Sequence, residues 1–231
     1  HRCMYTTLHV PYSASGGGAR CLMRLLRRRA TGGFTLVEVL VSIVVLSFGM
    51  LGIVGVQAFA LQSNREARLQ SQAVNLSREL AEMMRGNNQI GIQSAAADNP
   101  YLMAATSPLA AATPSYCLRV GNAATGCTAT EDVASAEMTD WLARVDSELP
   151  GARVTVCFDS QPYDANGLPQ WACTPGVAGT DEVVVIKMGW TRQSTDRSKT
   201  GAAMLERASD TGSRPNVLFP VTSGNPMGAP T

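Results

Sequence analysis

The chain has 231 residues, 45% hydrophobic and 16% charged, which allows one or two domains, and with aromatics at 6% any core must be aliphatic. The net charge of +1 hides an asymmetry: six of the nineteen basic side chains (Arg2, Arg20, Arg24, Arg27, Arg28, Arg29) precede Phe34 and no acid does, leaving 13 basic against 18 acidic residues from Phe34 onward. A mildly acidic body argues against a nucleic-acid binder, and because both histidines (His1, His9) lie before Phe34, the remainder has none for Ser-His-Asp, Cys-His or most zinc chemistry. No catalytic residue, metal ligand or cofactor is expected.

Residues 1–33 form a basic leader, with Met23 an attractive alternative start. The arginines are expected to hold this end in the cytoplasm, so that the chain beyond the following apolar segment emerges outside. That segment, Phe34–Leu61, carries one charge, Glu38, and its 28 residues would span about 40 Å as a helix, enough for a bilayer core of roughly 30 Å. Thr35-Leu36-Val37-Glu38 fits a capping box, which alone would explain the acid. The other explanation is a charge kept for a partner, for which a new amino terminus on Phe34 of a neighbouring copy would be a suitable cation. Gly49, Gly52 and Gly55 recur at steps of three. They suit close helix packing or local unwinding, each weakening the helix by about 1 kcal/mol relative to alanine.

Residues 62–86 continue the same predicted helix with a different face. Leu69, Ala73, Leu76, Leu80 and Met83 form a narrow apolar stripe among charged and amide side chains, suited to packing on a domain. Gly86-Asn87-Asn88 is the stop signal. Residues 87–223 then make up a head. Residues 87–116 are expected to be a long connecting loop. Thr128 with Glu131 suggests a second capping box, opening a helix whose buried stripe is Met138, Trp141, Leu142, Val145 and Leu149 and which Pro150-Gly151 ends. Strands are predicted over Arg153–Phe158, Glu182–Trp190 and Asn216–Thr222, a turn at Asp164–Gly167, a short helix around Ala202–Ala208 and a disordered tail over 224–231. Asp159, Asp164, Asp181 and Glu182 are expected on a solvated acidic face. The fold class is α+β: a long N-terminal helix packed on a small antiparallel sheet, with one extra helix.

Beyond the leader the cysteines number four: Cys117, Cys127, Cys157 and Cys173. An even count beyond a membrane segment suggests an oxidising compartment and two disulfides. Three connectivities are open, and the sequence-local one is favoured because each pair brackets a turn-rich loop.

Gly33-Phe34-Thr35-Leu36-Val37-Glu38-Val39-Leu40, behind a basic leader and ahead of an apolar helix, resembles the prepilin signature of type IV pilins and type II secretion pseudopilins. The resemblance implies cleavage after Gly33 by a prepilin peptidase and methylation of the new amino group of Phe34. It also implies pairing of Glu38 with the terminal amine of an adjacent subunit during filament assembly, and a periplasmic head on a helical spine. Trp141-Leu142 and Leu149-Pro150-Gly151, followed by a valine-rich strand, are similar to the PilV-type minor pilins. The expectation is a minor pilin held in the inner membrane by a single span before it enters a surface pilus. Its partners would be the peptidase, the major pilin, other minor pilins and the assembly platform, with no nucleic acid. A pseudopilin of a type II secretion system shares the whole N-terminal argument. A membrane-anchored periplasmic enzyme is a remote alternative.

Overall fold

A computed structural model describes residues 32–122, 125–176, 183–196 and 198–222. The leader up to Thr31, the acids Asp181 and Glu182, and the tail from Gly224 lie outside the described residues. The chain divides into two compact units at Gly52/Ile53. Helix α1, Leu36–Gly86, contributes to both. In the first unit every described residue is exposed.

The second unit is an α+β head. After α1 come a one-turn helix α2 (Asn88–Gly91), strand β1 (Met103–Thr106), helix α3 (Thr130–Glu148), and strands β2 (Arg153–Phe158), β3 (Val184–Gly189), β4 (Arg192–Gln193), β5 (Leu205–Glu206) and β6 (Val217–Val221). The main sheet has the order β1-β2-β3-β6 and every neighbouring pair is antiparallel. Strands β4 and β5 form a separate two-stranded ribbon.

The core joins α1, α3 and one sheet face. From α1 it takes Leu69, Ala73, Leu76, Leu80, Ala81 and Met84, all buried, whereas the predicted Met83 is only partly so. The stripe turns towards Met84 because a 3.6-residue period drifts off a strict four-three alternation. From α3 come Met138, Trp141, Leu142 and Val145, and from the sheet Val154, Val156, Val184, Ile186 and Met188. Two polar contacts fix the helices within this apolar interior. The indole N–H of Trp141 donates to the Leu76 carbonyl at 3.0 Å, and the Ser77 hydroxyl, buried, bonds the Ala73 carbonyl at 2.8 Å. Replacing Trp141 by Phe keeps most of the apolar area but removes the indole bond, leaving that carbonyl only its bond within α1. The expected loss is about 1–2 kcal/mol, read as a lower urea midpoint with an unchanged slope.

Three expectations are corrected. Residues 87–116 are not all loop: Met103–Thr106 is strand β1, in register with β2 from Met103↔Val156 to Thr106↔Arg153. Met-Ala-Ala-Thr has little strand propensity, and the free backbone edge of β2 supplies the pairing that makes it a strand. The helix expected around Ala202–Ala208 is a 3₁₀ turn, Gly201–Met204, running into β5. Gly201 has φ 62°, a left-handed conformation that opens the turn. The capping residue of α3 is Asp132, not Glu131. The helix begins at Thr130, so Asp132 is its third residue, and its carboxylate accepts from the Thr128 hydroxyl at 2.6 Å and the Thr128 and Ala129 N–H groups at 3.1 Å each. These bonds, the hydroxyl's first, hold the Asp132 carboxyl below its ordinary range.

The predicted acidic face is also overturned at Asp159. Strand β3 is buried along all six residues. Its inward set is Val184, Ile186 and Met188, which puts Val185, Lys187 and Gly189 on the opposite face. That face is covered by the loop following β2. Lys187 and Asp159 are fully buried side chains with Nζ and Oδ2 2.5 Å apart. The ammonium also donates to the Gln170 carbonyl at 2.9 Å and to the Ala172 carbonyl. Asp159 Oδ1 accepts from the Gln161 and Thr174 N–H groups at 3.0 Å each. Beside them, Arg153 lies 4.3 Å over the Trp171 ring, and a side chain at Gly189 would come within 3.0 Å of that ring. Asp164 does reach solvent, in a turn closed by Gly167 (φ 74°), where it pairs with Arg214 at 2.8 Å.

Candidate functional site

The candidate site is built from the start of α1. Gly32 to Thr35 precede the helix without regular structure. Thr35 begins it: its hydroxyl oxygen accepts the Glu38 backbone N–H at 3.2 Å, and its carbonyl accepts the N–H groups of Glu38 and Val39 at 3.0 and 3.2 Å. This is half of a capping box, because the helix start uses the backbone N–H of Glu38 and leaves its carboxylate exposed. The carboxylate lies in the first turn, where the helix dipole favours a negative charge.

The residues that follow carry little other polarity. The Ser42 and Ser47 hydroxyls each donate to a backbone carbonyl four residues earlier, Glu38 and Ile43, at 2.7 Å. Folding hydroxyls back onto the helix removes their demand for water, which suits an apolar surrounding. Phe34, Leu36, Leu46, Phe48 and Leu51 are each more than half exposed. One helix among the described residues, α1, is long and apolar enough to cross a membrane. At Gly49, Gly52 and Gly55 an added Cβ would meet nothing within 4 Å. Packing inside this chain therefore does not explain their small size.

Two family models match the chain. One, described as the prokaryotic N-terminal methylation motif, covers residues 28–54, and the other, described as type IV pilin Tt1218, covers residues 55–139. The chain is a type IV pilin-like protein. No curated protein and no solved structure shows significant similarity to it. The match to the methylation motif takes in Gly33, Phe34 and Glu38 and the apolar start of α1 as far as Val54, and the pilin match runs from the remainder of α1 into α3. Type IV pilins are a structural, non-enzymatic family.

The cysteines of this pilin-like head are bonded as Cys117–Cys127 and Cys157–Cys173, the two sequence-local pairs. The bonds serve different loops. Cys117–Cys127 closes a surface loop that exposes Leu118 and Val120. Cys157–Cys173 ties β2 to the segment covering the outer face of β3. Replacing Cys157 and Cys173 together by serine should lower stability by about 3 kcal/mol on a chain-entropy argument. The Cys117/Cys127 pair should matter less to the sheet. Amide hydrogen exchange at Val185 and Lys187 is the check, and equal protection in the two double variants would contradict the covering role.

Two further contacts of the pilin-like head were not legible in the sequence. The Tyr101 hydroxyl donates to the Glu137 carboxylate, joining the segment after α2 to α3. Burial first, and then this bond, push the Tyr101 hydroxyl far above the ordinary tyrosine range. Arg144 and Glu79 form a two-point pair between α3 and α1, with Nη1 to Oε2 at 2.8 Å. A tyrosine and a glutamate 36 residues apart carry no motif, so only the fold reveals the pair.

Proposed function

We propose that this chain is a minor pilin of a type IV pilus, of the PilV type. It is synthesised with a basic leader, anchored in the inner membrane by the first half of α1, and cut after Gly33 by a prepilin peptidase that also methylates Phe34. Residues 34–61 are then the membrane and assembly half of the helix, residues 62–86 its head-packing half, and residues 87–223 a periplasmic head. In the filament Glu38 pairs with the amine of a neighbouring subunit, and Gly49, Gly52 and Gly55 give the helix room to unwind as it leaves lipid. The major pilin, other minor pilins and the assembly platform are the partners.

The observation that carries the proposal is the contrast along α1. Thr35 starts a helix whose surface is apolar and exposed, with a single carboxylate in its first turn. A membrane anchor needs the apolar surface but not the acid, which disfavours insertion by about 2.5–3.5 kcal/mol at the bilayer centre and less near the interface. An assembly interface needs both. The PilV-type reading rests on the sequence likeness at Trp141-Leu142 and Leu149-Pro150-Gly151.

The test is mass spectrometry of the N-terminus in protein taken from sheared filaments. The expected mature chain begins at N-methylated Phe34, and Gly33→Val should leave the leader attached and the protein out of filaments. A mature terminus elsewhere, or an intact leader on filament-borne protein, overturns the proposal.

A further inference from the structure

Charge on the head is segregated. Residues 192–214 hold five basic side chains against three acidic ones, while the rest of the chain from Phe34 holds eight against fifteen. The connection between β3 and β6, with the β4–β5 ribbon, brings most of this local excess around one open pocket of about 710 Å³. Arg192, Lys199, Arg207 and Arg214 line it, with Glu206 and Asp210 as the opposing acids.

Glu206 is already committed. It accepts from Arg192 Nε at 3.1 Å and from the Ser194 hydroxyl at 2.8 Å, with Lys199 at 3.9 Å. The Ser194 hydroxyl first, then Arg192 and Lys199, hold its carboxyl below the ordinary range. Asp210 accepts the backbone N–H of Arg207 at 3.1 Å. Among the described residues the Arg207 guanidinium makes no ion pair, and Lys199 has only its long contact. With Arg214 already paired to Asp164 at 2.8 Å, the surplus positive charge of the pocket rests on Arg207 and Lys199.

A second, independent observation concerns Trp190, which also lines this pocket and is 1% exposed. Its indole N–H is buried and has no hydrogen-bond acceptor among the described residues. The other two indoles both donate, Trp141 to the Leu76 carbonyl and Trp171 to the Ser213 hydroxyl. Buried polar groups are nearly always paired, so an orphan donor beside surplus cations points to an acceptor-rich anionic ligand.

We propose that this pocket binds a short acidic oligosaccharide, with carboxylates facing Arg207 and Lys199 and a ring or hydroxyl oxygen accepting from Trp190. The volume lies within the range typical of small-ligand sites, roughly 300–1,000 Å³. Thr211 and the amide nitrogen of Asn216 add neutral polar groups suited to sugar hydroxyls, whereas the Ser213 hydroxyl is committed to the Ala208 carbonyl and the Trp171 indole. A nucleic acid fits less well. Its backbone needs a row of cations and its bases need exposed aromatic faces, whereas the pocket is local, the surrounding head is acidic, and Trp190 is buried. This binding role is separate from filament entry, and either can fail alone.

The test uses the full chain in detergent micelles with ¹⁵N-labelled tryptophan. Trigalacturonate is the probe, with maltotriose as the neutral control and a single-stranded DNA 12-mer as the other polyanion. Trigalacturonate should move the Trp190 indole proton saturably while the Trp141 signal, a marker of the intact core, stays in place. The pair Lys199→Gln and Arg207→Gln should weaken binding about tenfold. Trp190→Phe, followed by calorimetry, should weaken it while keeping the ring. The proposal is overturned by no saturable shift, by an equal response to maltotriose, by tighter binding of the DNA at Trp190, or by unchanged affinity in the Gln pair.

Discussion

Lys187→Met should be among the most destabilising single substitutions in the head, lowering stability by about 3–5 kcal/mol. Methionine matches the length of the lysine stem, so packing is nearly preserved and the effect isolates the charge. Asp159 would be left fully buried with only the Gln161 and Thr174 N–H groups for company, and the Gln170 and Ala172 carbonyls would lose their donor. For a unit of this size the melting temperature should fall by on the order of 10 °C, measured by near-ultraviolet circular dichroism on the full chain in detergent. Adding Asp159→Asn should recover part of the loss, since it removes the stranded charge while an amide oxygen still accepts the two backbone N–H groups. A Lys187→Met melt within about 2 °C of the parent would show that the pair does not hold the loop to the sheet.

That pair marks the limit of what the sequence discloses. The amphipathic half of α1, the buried stripe of α3 and strand β2 are local patterns, and each appears where its period places it. Strand β3 lies within the predicted Glu182–Trp190, but a lysine on its second face is the sequence mark of a solvated surface. The covering loop, closed by Cys157–Cys173 and carrying Trp171, is what turns that face inward. Strand β1 was missed for a related reason: Met-Ala-Ala-Thr becomes a strand only because β2 offers it an edge. At the candidate site the position is reversed. Gly33, Phe34 and Glu38 are readable from sequence because the matched motif is a short linear segment. The structure adds that Thr35 caps the helix through the backbone of Glu38 and not through its carboxylate. The pocket around Trp190 depends on residues from four separate stretches, and no one of them signals it.

Glu38→Gln should leave the protein processed, folded and membrane-bound, yet nearly absent from filaments. Three effects of the substitution can be separated by size. The helix start is untouched, since Thr35 binds the Glu38 backbone N–H. Loss of a negative charge near a helix N-terminus typically removes only about 0.3–1 kcal/mol. Residence in the bilayer should improve, because a carboxylate resists insertion and an amide resists it less. Each of these predicts a protein as abundant as the parent in the membrane. The proposed pairing with a neighbour's Phe34 amine predicts the opposite for the filament. Removing one member of a desolvated charge pair costs at least about 2 kcal/mol, roughly thirtyfold in incorporation. Quantitative immunoblots of sheared filaments against membrane fractions measure the ratio, with Glu38→Asp as a charge-preserving control. Parent-like incorporation of Glu38→Gln would remove the partner-charge role and leave Glu38 as a helix-start residue.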